Sequence, residues 1–348
     1  MKNGKLGIGL IGLGVIAPTH ASAICETDCA YLAAVTTSDR EKQKLWSEKY
    51  SCRAYDNLEE MLEDEEVDAV AITTPSGTHR EIALKAIKAK KHVLVEKPLE
   101  ITVDRCLDMI RAAEENHVVL ATVFQSRFMD STKIIKEAVQ KGRFGKLTLA
   151  DASFKWYRSQ AYYDSAAWRG TWNLDGGGVF MNQGIHAVDA LLYLAGEDPE
   201  VKSSFTACLA HEDIEVEDAG AAILCFPSGA MGVIEGSTAA YPGSRKRVEI
   251  RGTKGSAVWE DEFITMWEFT DPAPEDEEIR KRFAPPAGDN SSKGNGQRPH
   301  YHAHSRCYVD FVNAIKTGKK PLIDGQEGLR SVKLVTDIYK RAKEESCT

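Results

Sequence analysis

The apolar run Leu6–Ile11 ends in Gly12-Leu13-Gly14-Val15-Ile16-Ala17 and passes directly into a helical pattern. A strand, a glycine turn and a helix in that order constrain the fold more than any other stretch of this chain. Gly12 permits the tight turn, Gly14 lets backbone approach a pyrophosphate, and the small Ala17 lets the helix pack close on a sheet. The helix start adds unpaired N–H groups and a positive dipole end, which suit an anion. The spacing predicts dinucleotide binding at Gly12, Gly14, Val15 and Ile16.

The alternation continues. Leu32–Thr36, Ala69–Thr73, Val93–Val95 and Val118–Phe124 read as strands between amphipathic stretches, which implies a doubly wound parallel sheet, a Rossmann-type α/β domain, over residues 1–124. Thr78-His79-Arg80-Glu81 has the spacing of a capping box, Thr102 is placed to cap the next helix, and Gly142 to end the helix that starts at Ser131. After Leu147 the texture changes. Ala219–Phe226 with Ala230–Glu235, and Val248–Arg251 with Ser256–Trp259, read as hairpins. Residues 125–348 are therefore expected to form an α+β domain, an open and mainly antiparallel sheet with helices on one face. The other face is left for solvent or a second subunit, so a homo-oligomer, dimer or tetramer, is expected. Helical patterns at Ser305–Thr317 and Gly325–Glu345 are candidates for packing back on the first domain, while Asp271–Glu278 and Ala284–His300 read as irregular.

Charge narrows the partners: 44 Lys and Arg against 52 Asp and Glu leave a net charge of -8, whereas nucleic acid and anionic membranes select basic surfaces. No run approaches the ~18 apolar residues of a membrane span. The eight cysteines are scattered without C-x-x-C spacing, as suits free thiols in a reducing cytoplasm.

The strand ends carry the chemistry. Strand two ends in Thr36-Thr37-Ser38-Asp39-Arg40, with the neutral Thr37 where an acidic residue is usual. Asp39 can reach the ribose and favour NAD, Ser38 with Arg40 can hold the extra phosphate of NADP, and Asp39 equally reads as a helix N-cap. The next strand ends bring Thr74, Pro75 and His79, then Glu96-Lys97-Pro98, then Gln125, to the edge where open α/β sheets bind ligands. Further on, Asn182, His186, Asp189 and Tyr193 are spaced to share one helical stripe, so that His186 reads either as a core histidine or as a site residue. Arg127, Trp156, Tyr157, Arg158, Tyr162, Tyr163, Trp168, Arg169 and Trp172 concentrate aromatic and guanidinium groups before Asp175 and suit a polyhydroxylated ring, whose C–H faces stack while its hydroxyls hydrogen-bond. Tyr157, Tyr163, Trp168, Arg127, Arg169 and Asp175 are the candidate substrate contacts. Pro299-His300-Tyr301-His302-Ala303-His304 alternates imidazoles, but no neighbouring Cys or acidic ligand completes a set, and no metal is expected.

Lys91-His92-Val93-Leu94-Val95-Glu96-Lys97-Pro98, Gly176-Gly177-Gly178, Asn182-Gln183-Gly184-Ile185-His186 with Asp189, and Asp310–Ile315 together resemble the glucose-fructose oxidoreductase, inositol dehydrogenase and rhizopine-catabolism (Gfo/Idh/MocA) family of NAD(P)-dependent oxidoreductases. The resemblance spans nearly the whole chain. It implies hydride transfer between NAD, or NADP, and a ring secondary alcohol of a sugar, a glycoside (at C3 for example) or a cyclic polyol. It also implies that Lys97 and His186 line the substrate site; Glu96 or Gln125, at the same strand ends, is expected to help seat the cofactor. Many members carry Asp where Asn182 stands. An amide cannot share a proton as a carboxylate does, which leaves Asn182 to orient the substrate and moves the base to Lys97 or His186. The alternatives are an inositol dehydrogenase, a nucleotide-sugar dehydrogenase using Arg245-Lys246-Arg247 against a diphosphate, and a non-enzymatic dinucleotide-sensing regulator, which has no need of Lys97 and His186 together.

Overall fold

Six short strands form the first sheet, and all but the exposed edge strand Arg53–Tyr55 are apolar enough to be buried on both faces. In the computed structural model, which describes residue 2 and residues 4–286 and 301–346, they are β1 (Leu6–Ile11), β2 (Ala30–Thr36), β3 (Arg53–Tyr55), β4 (Ala69–Ile72), β5 (His92–Val95) and β6 (Leu120–Thr122). All pair in parallel in the order β3-β2-β1-β4-β5-β6, the doubly wound arrangement. The connecting helices are α1 (Ala17–Glu26), α2 (Arg40–Tyr50), α3 (Leu58–Glu63), α4 (His79–Lys88) and α5 (Val103–Asn116). The order reverses between β1 and β4, and a crevice at such a switch point is where doubly wound sheets bind ligands.

Local signals explain most boundaries. The Asp39 side chain accepts from Lys42 N at the start of α2, and Thr102 accepts from Arg105 N at the start of α5. The capping box expected at Thr78 does not form. A 3-10 turn over Ser76–Thr78 already holds Thr78 in a helical conformation, whereas an N-cap needs an extended one. Thr78 Oγ1 instead donates to Thr74 Oγ1 and Pro75 O, and Glu81 pairs with Arg105.

The second sheet is built from β7 (Leu147–Lys155), β8 (Glu200–Ala207), β9 (Ala219–Cys225), β10 (Met231–Ser237), β11 (Arg247–Gly252), β12 (Gly255–Glu260) and β13 (Phe263–Phe269). Its order is β13-β12-β11-β7-β10-β9-β8, and every pair is antiparallel except β7 with β10. Strict alternation shows in β10, where Gly232, Ile234 and Gly236 point inward and Met231, Val233 and Glu235 outward. The inner face packs against α6 (Asp130–Gln140) and α8 (Ile185–Ala195); α7 (Gln160–Asp164) lies between them in sequence. The outer face leaves Leu149, Phe205, Ile223, Met231 and Val233 exposed.

The acidic stretch read as irregular supplies the first turn of α9 (Asp276–Arg282), with Asp276, Glu277 and Glu278 at its positive end and Arg280, Lys281 and Arg282 at its negative end. The chain then enters α10 (Tyr301–Thr317), which packs on α1, and ends in α11 (Gly325–Ser346). Two compact units result: Met1–Gln125 with Arg298–Leu329, and Ser126–Gln297 with Arg330–Thr348. Most of the segment expected to be irregular from Ala284 onward, and His300, lie outside the described residues. His302 and His304 stand on a helix, so their two-residue spacing directs one to solvent and the other to the interior, at 69% and 3% side-chain exposure.

Candidate active site

On the first unit the glycine turn is braced from below. Gly12 has φ +90°, its N–H donates to Thr36 O, and its carbonyl accepts from Thr73 Oγ1 at 2.6 Å. A Cβ at Gly12 would lie 2.7 Å from Thr74 Cγ2. Above the turn the surface is open. A Cβ at Gly14 would meet nothing within 4 Å, Val15 is 88% exposed, and α1 begins at Ile16 without a side-chain cap. An open glycine turn, an uncapped helix start and an apolar side chain lying bare are the features a dinucleotide would cover. Gln125 adds a fourth, since its Oε1 is buried with no hydrogen-bond partner among the described residues. The residues therefore fit an NAD molecule.

Thr37 is half-buried and Ser38, Asp39 and Arg40 are exposed at the end of β2. Asp39 caps α2 and Arg40 lies 3.4 Å from Asp56. Pro75 opens the 3-10 turn after β4. His79 is buried, with ring nitrogens 3.0 Å from Thr74 O and Pro98 O. Burial pushes its pKa down, so the neutral ring donates to one of these carbonyls and ties together the loops after β4 and β5.

Glu96 is buried, and its Oε2 accepts the backbone N–H of Lys97 at 3.0 Å. Its Oε1 lies 2.8 Å from His20 Nε2, and the other His20 nitrogen is 2.7 Å from Tyr308 Oη. The His304 ring stands 3.8 Å from the same oxygen. Burial acts to raise the Glu96 pKa, but hydrogen bonds and charge from His20 and His304 outweigh it and hold the carboxyl well below the usual range. Burial conversely lowers His20 against the pull of Glu96. The His20 ring bridges the Glu96 carboxyl and the Tyr308 hydroxyl. His20 and Tyr308 are not legible as partners of Glu96, because nothing local to Glu96 announces partners on α1 and α10.

On the second unit, Asn182 and His186 do not share a regular α-helix. Val179–Gln183 form a π-turn, and α8 starts only after Gly184. Such turns are frequent at functional sites. Glu217 holds this one: its carboxylate accepts from Gly178 N and Phe180 N, both at 3.0 Å, and from Tyr339 Oη at 2.7 Å. A Cβ at Gly178 would fall 1.7 Å from Glu217 O, so only glycine admits this approach. Burial pushes the Glu217 carboxyl up to about 7 despite those three donors. Glu217 lies in no motif by which it could be found.

Asp175 is buried, accepting from Asn182 Nδ2 and from Gly170 N at 2.9 Å. A carboxylate thus reaches position 182 through hydrogen bonding from Asp175. Asp189 and Tyr193, one turn apart on α8, both meet the Arg127 guanidinium. Asp189 is fully buried in a bidentate pair with Arg127, 2.7 to 3.1 Å, and the guanidinium lies over the Tyr193 ring at 4.8 Å. Arg127, a candidate substrate contact, is 1% exposed and committed to that pair. Tyr163 is buried with its hydroxyl 3.0 Å from Thr238 Oγ1, and Tyr157 meets Tyr241 edge-on at 5.1 Å. Trp168 is half-buried beneath Arg169, whose guanidinium stands 4.7 Å from its ring. The Arg245-Lys246-Arg247 cluster offers little free charge: Lys246 pairs with Asp261 at 2.9 Å, and Arg247 with Glu249 and Glu260.

A doubly wound sheet with an open glycine turn defines a dinucleotide-binding protein with a second, antiparallel-sheet unit. Residues 6–124 match the oxidoreductase family with an NAD-binding Rossmann fold, and residues 132–258 match the GFO/IDH/MocA C-terminal domain. The chain belongs to the Gfo/Idh/MocA family of NAD-binding oxidoreductases. It is 30% identical to the myo-inositol 2-dehydrogenase of Thermotoga maritima, over 92% of this chain and 91% of that protein. Among solved structures it is similar to the WlbA dehydrogenase from Bordetella pertussis in complex with NADH and UDP-GlcNAcA, at 33% identity and a TM-score of 0.89, covering 99% of this chain and 97% of that one. It is also similar to the aldose-aldose oxidoreductase from Caulobacter crescentus, at 26% identity and a TM-score of 0.82 over 98% of each chain. Among the described residues no helix is long and apolar enough to cross a membrane.

Proposed function

We propose that this protein is an NAD-dependent oxidoreductase that oxidises, or in reverse reduces, a ring secondary alcohol of a sugar or cyclic polyol, with Lys97 and His186 handling the hydroxyl proton. The bare glycine turn with the orphaned Gln125 acceptor carries the reading, together with similarity to sugar and inositol oxidoreductases. Bound NAD+ supplies a hydride acceptor at the nicotinamide ring. The Lys97 amine takes the carbinol proton directly or through the His186 ring, and the Asn182 amide orients the hydroxyl. Glu96 fixes the peptide from which the Lys97 side chain departs, and Asp175 fixes the Asn182 amide. We further propose that the outer sheet face with Phe205, Ile223, Met231 and Val233 is covered by a second copy of the chain.

The test is reduced-nicotinamide absorbance on a panel of pyranoses, glycosides, uronates and inositols with Lys97→Ala alongside the parent. Turnover should fall about 100- to 10,000-fold in the variant, the range lost with a general base, while NADH binding stays. A variant as active as the parent removes Lys97 from the chemistry. Full NAD binding with no turnover on any substrate class favours the regulator.

A further inference from the structure

Most arginines among the described residues face a carboxylate. Arg53, Arg80, Arg105, Arg127, Arg143 and Arg247 each face a carboxylate within 4 Å. Arg158 and Arg169 differ. Arg158 directs Nε and one terminal nitrogen to the single oxygen Gln183 Oε1, at 3.2 and 2.9 Å. Arg169 donates to Ser165 Oγ at 3.1 Å and to Tyr162 Oη. All these partners are neutral, and neither arginine has a carboxylate partner among the described residues. A guanidinium has five N–H donors, so most of those on each side chain remain to be used.

The two side chains are neighbours. Both lie over the Tyr162 ring, at 4.9 and 4.1 Å from its centroid, and Trp156 and Trp168 flank them at 5.3 and 4.7 Å. Arg158, Tyr162, Trp168 and Arg169 are all half-buried, so the cluster opens to solvent. Gln183 joins it to the candidate site, since its Nε2 lies 2.8 Å from Tyr162 Oη and 3.2 Å from Asn182 Oδ1. With Gln183 and Arg169 both donating to the Tyr162 oxygen, the Tyr162 O–H is left to donate outward.

We propose that Arg158, Arg169 and Tyr162 form an oxyanion subsite beside Asn182, and that the sugar this enzyme acts on carries an acidic group, a carboxylate or a phosphate. The inference deepens the sugar-oxidoreductase reading and rests on it for turnover. Two guanidiniums stacked on one phenol present rigid forks of the kind that match a carboxylate or phosphate in bidentate fashion, and stacking holds them against their mutual repulsion. The arrangement places the recognised charge one residue from the amide that orients the reacting hydroxyl, on the same unit of the protein.

The protein loaded with NADH is titrated by calorimetry with glucose, glucuronate and glucose 6-phosphate, and the same three are assayed for turnover with NAD+. Tighter binding of either acidic sugar over glucose is expected, and the better of the two identifies carboxylate or phosphate as the preferred group. In Arg158→Gln and Arg169→Gln the acid-over-neutral preference should drop about 10- to 100-fold, the worth of a charged hydrogen bond, mainly through KM. Binding of the neutral glucose by the same variants controls for general loosening. Equal binding of all three sugars by the parent, or an unchanged preference in both arginine variants, overturns the subsite. Acid-selective binding that is lost in the variants, with no hydride transfer, upholds the subsite and sinks the dehydrogenase reading instead.

Discussion

Glu217 offers a test of how the π-turn is held. The residue is 4% exposed and surrounded by three donors, yet burial leaves its carboxyl at about 7, above the ordinary value of 4.5. Below pH 4.5 the group is protonated in both folded and unfolded chains and contributes no pH dependence. Between 4.5 and 7 the unfolded chain gives up this proton while the folded one keeps it, so the folded state binds more protons and stability falls as pH rises. Above 7 the loss is complete. A gap of about 2.5 pH units is worth about 3 kcal/mol, of which about 2.5 kcal/mol falls between pH 5 and pH 8. Glu217→Gln removes this titration. The amide has one oxygen where the carboxyl, protonated or not, has two, and turns an NH2 toward one of Gly178 N and Phe180 N, which loses its partner at a cost of about 1 to 3 kcal/mol. The variant should therefore be the less stable protein at pH 5 and approach or overtake the parent by pH 8. Urea unfolding of both proteins, read by far-ultraviolet dichroism at intervals between those limits, measures the difference. A parent-minus-variant gap that stays flat across the range would refute the assignment, because no other group is altered.

Breaking the Arg127–Asp189 pair by Asp189→Asn strands a buried guanidinium and should cost about 3 to 5 kcal/mol in urea unfolding. Adding Arg127→Met should recover most of that loss, and a double variant no better than the single one would show that the pair's charge is not what matters. At the glycine turn the two alanine substitutions should separate. Gly12→Ala is strained by a φ of +90° and by contact with Thr74, so both Tm and NADH affinity should fall. Gly14→Ala meets no protein atom within 4 Å and should keep the parent's Tm while raising the NADH Kd at least about tenfold. Equal Tm losses in both would mean that the turn is more crowded than the structure has it.

These contrasts follow the division between what the sequence discloses and what it hides. The doubly wound sheet is legible because five of its six strands are local apolar runs, and because Gly12 and Gly14 follow the first strand at a spacing with a backbone reason; the edge strand β3, Arg53-Ala54-Tyr55, has no such run and is not legible. Thr102 and Asp39 are legible as caps, since a cap is a contact between residues three apart. Contacts across long sequence separations are not. His20 meets Tyr308 across 288 residues, and Arg127 meets Asp189 across 62, so a site candidate read from composition turns out to be an interior ion pair. The expected helical stripe through Asn182 and Tyr193 assumed a uniform 3.6-residue period. The π-turn breaks that period, and its cause, a carboxylate more than thirty residues further on, has no local signature.

Three buried carboxylates converge on the segment that carries Asn182 and His186. Glu217 takes the N–H groups at its start, Asp175 takes the Asn182 amide, and Asp189 anchors its far end through Arg127. Burying three acids is costly in stability, and a chain selected for stability alone would place apolar groups at such positions. What the acids provide is direction: each fixes a donor whose alternative positions are within easy thermal reach, and a reacting hydroxyl tolerates little displacement from its oriented geometry. The raised Glu217 pKa is the visible residue of that cost. It marks the carboxylate with donors enough to hold the turn but no cationic partner to offset burial, whereas Asp189 has the Arg127 guanidinium. By the same logic Arg158 and Arg169, which have no carboxylate partner among the described residues, leave positive charge for a substrate to neutralise.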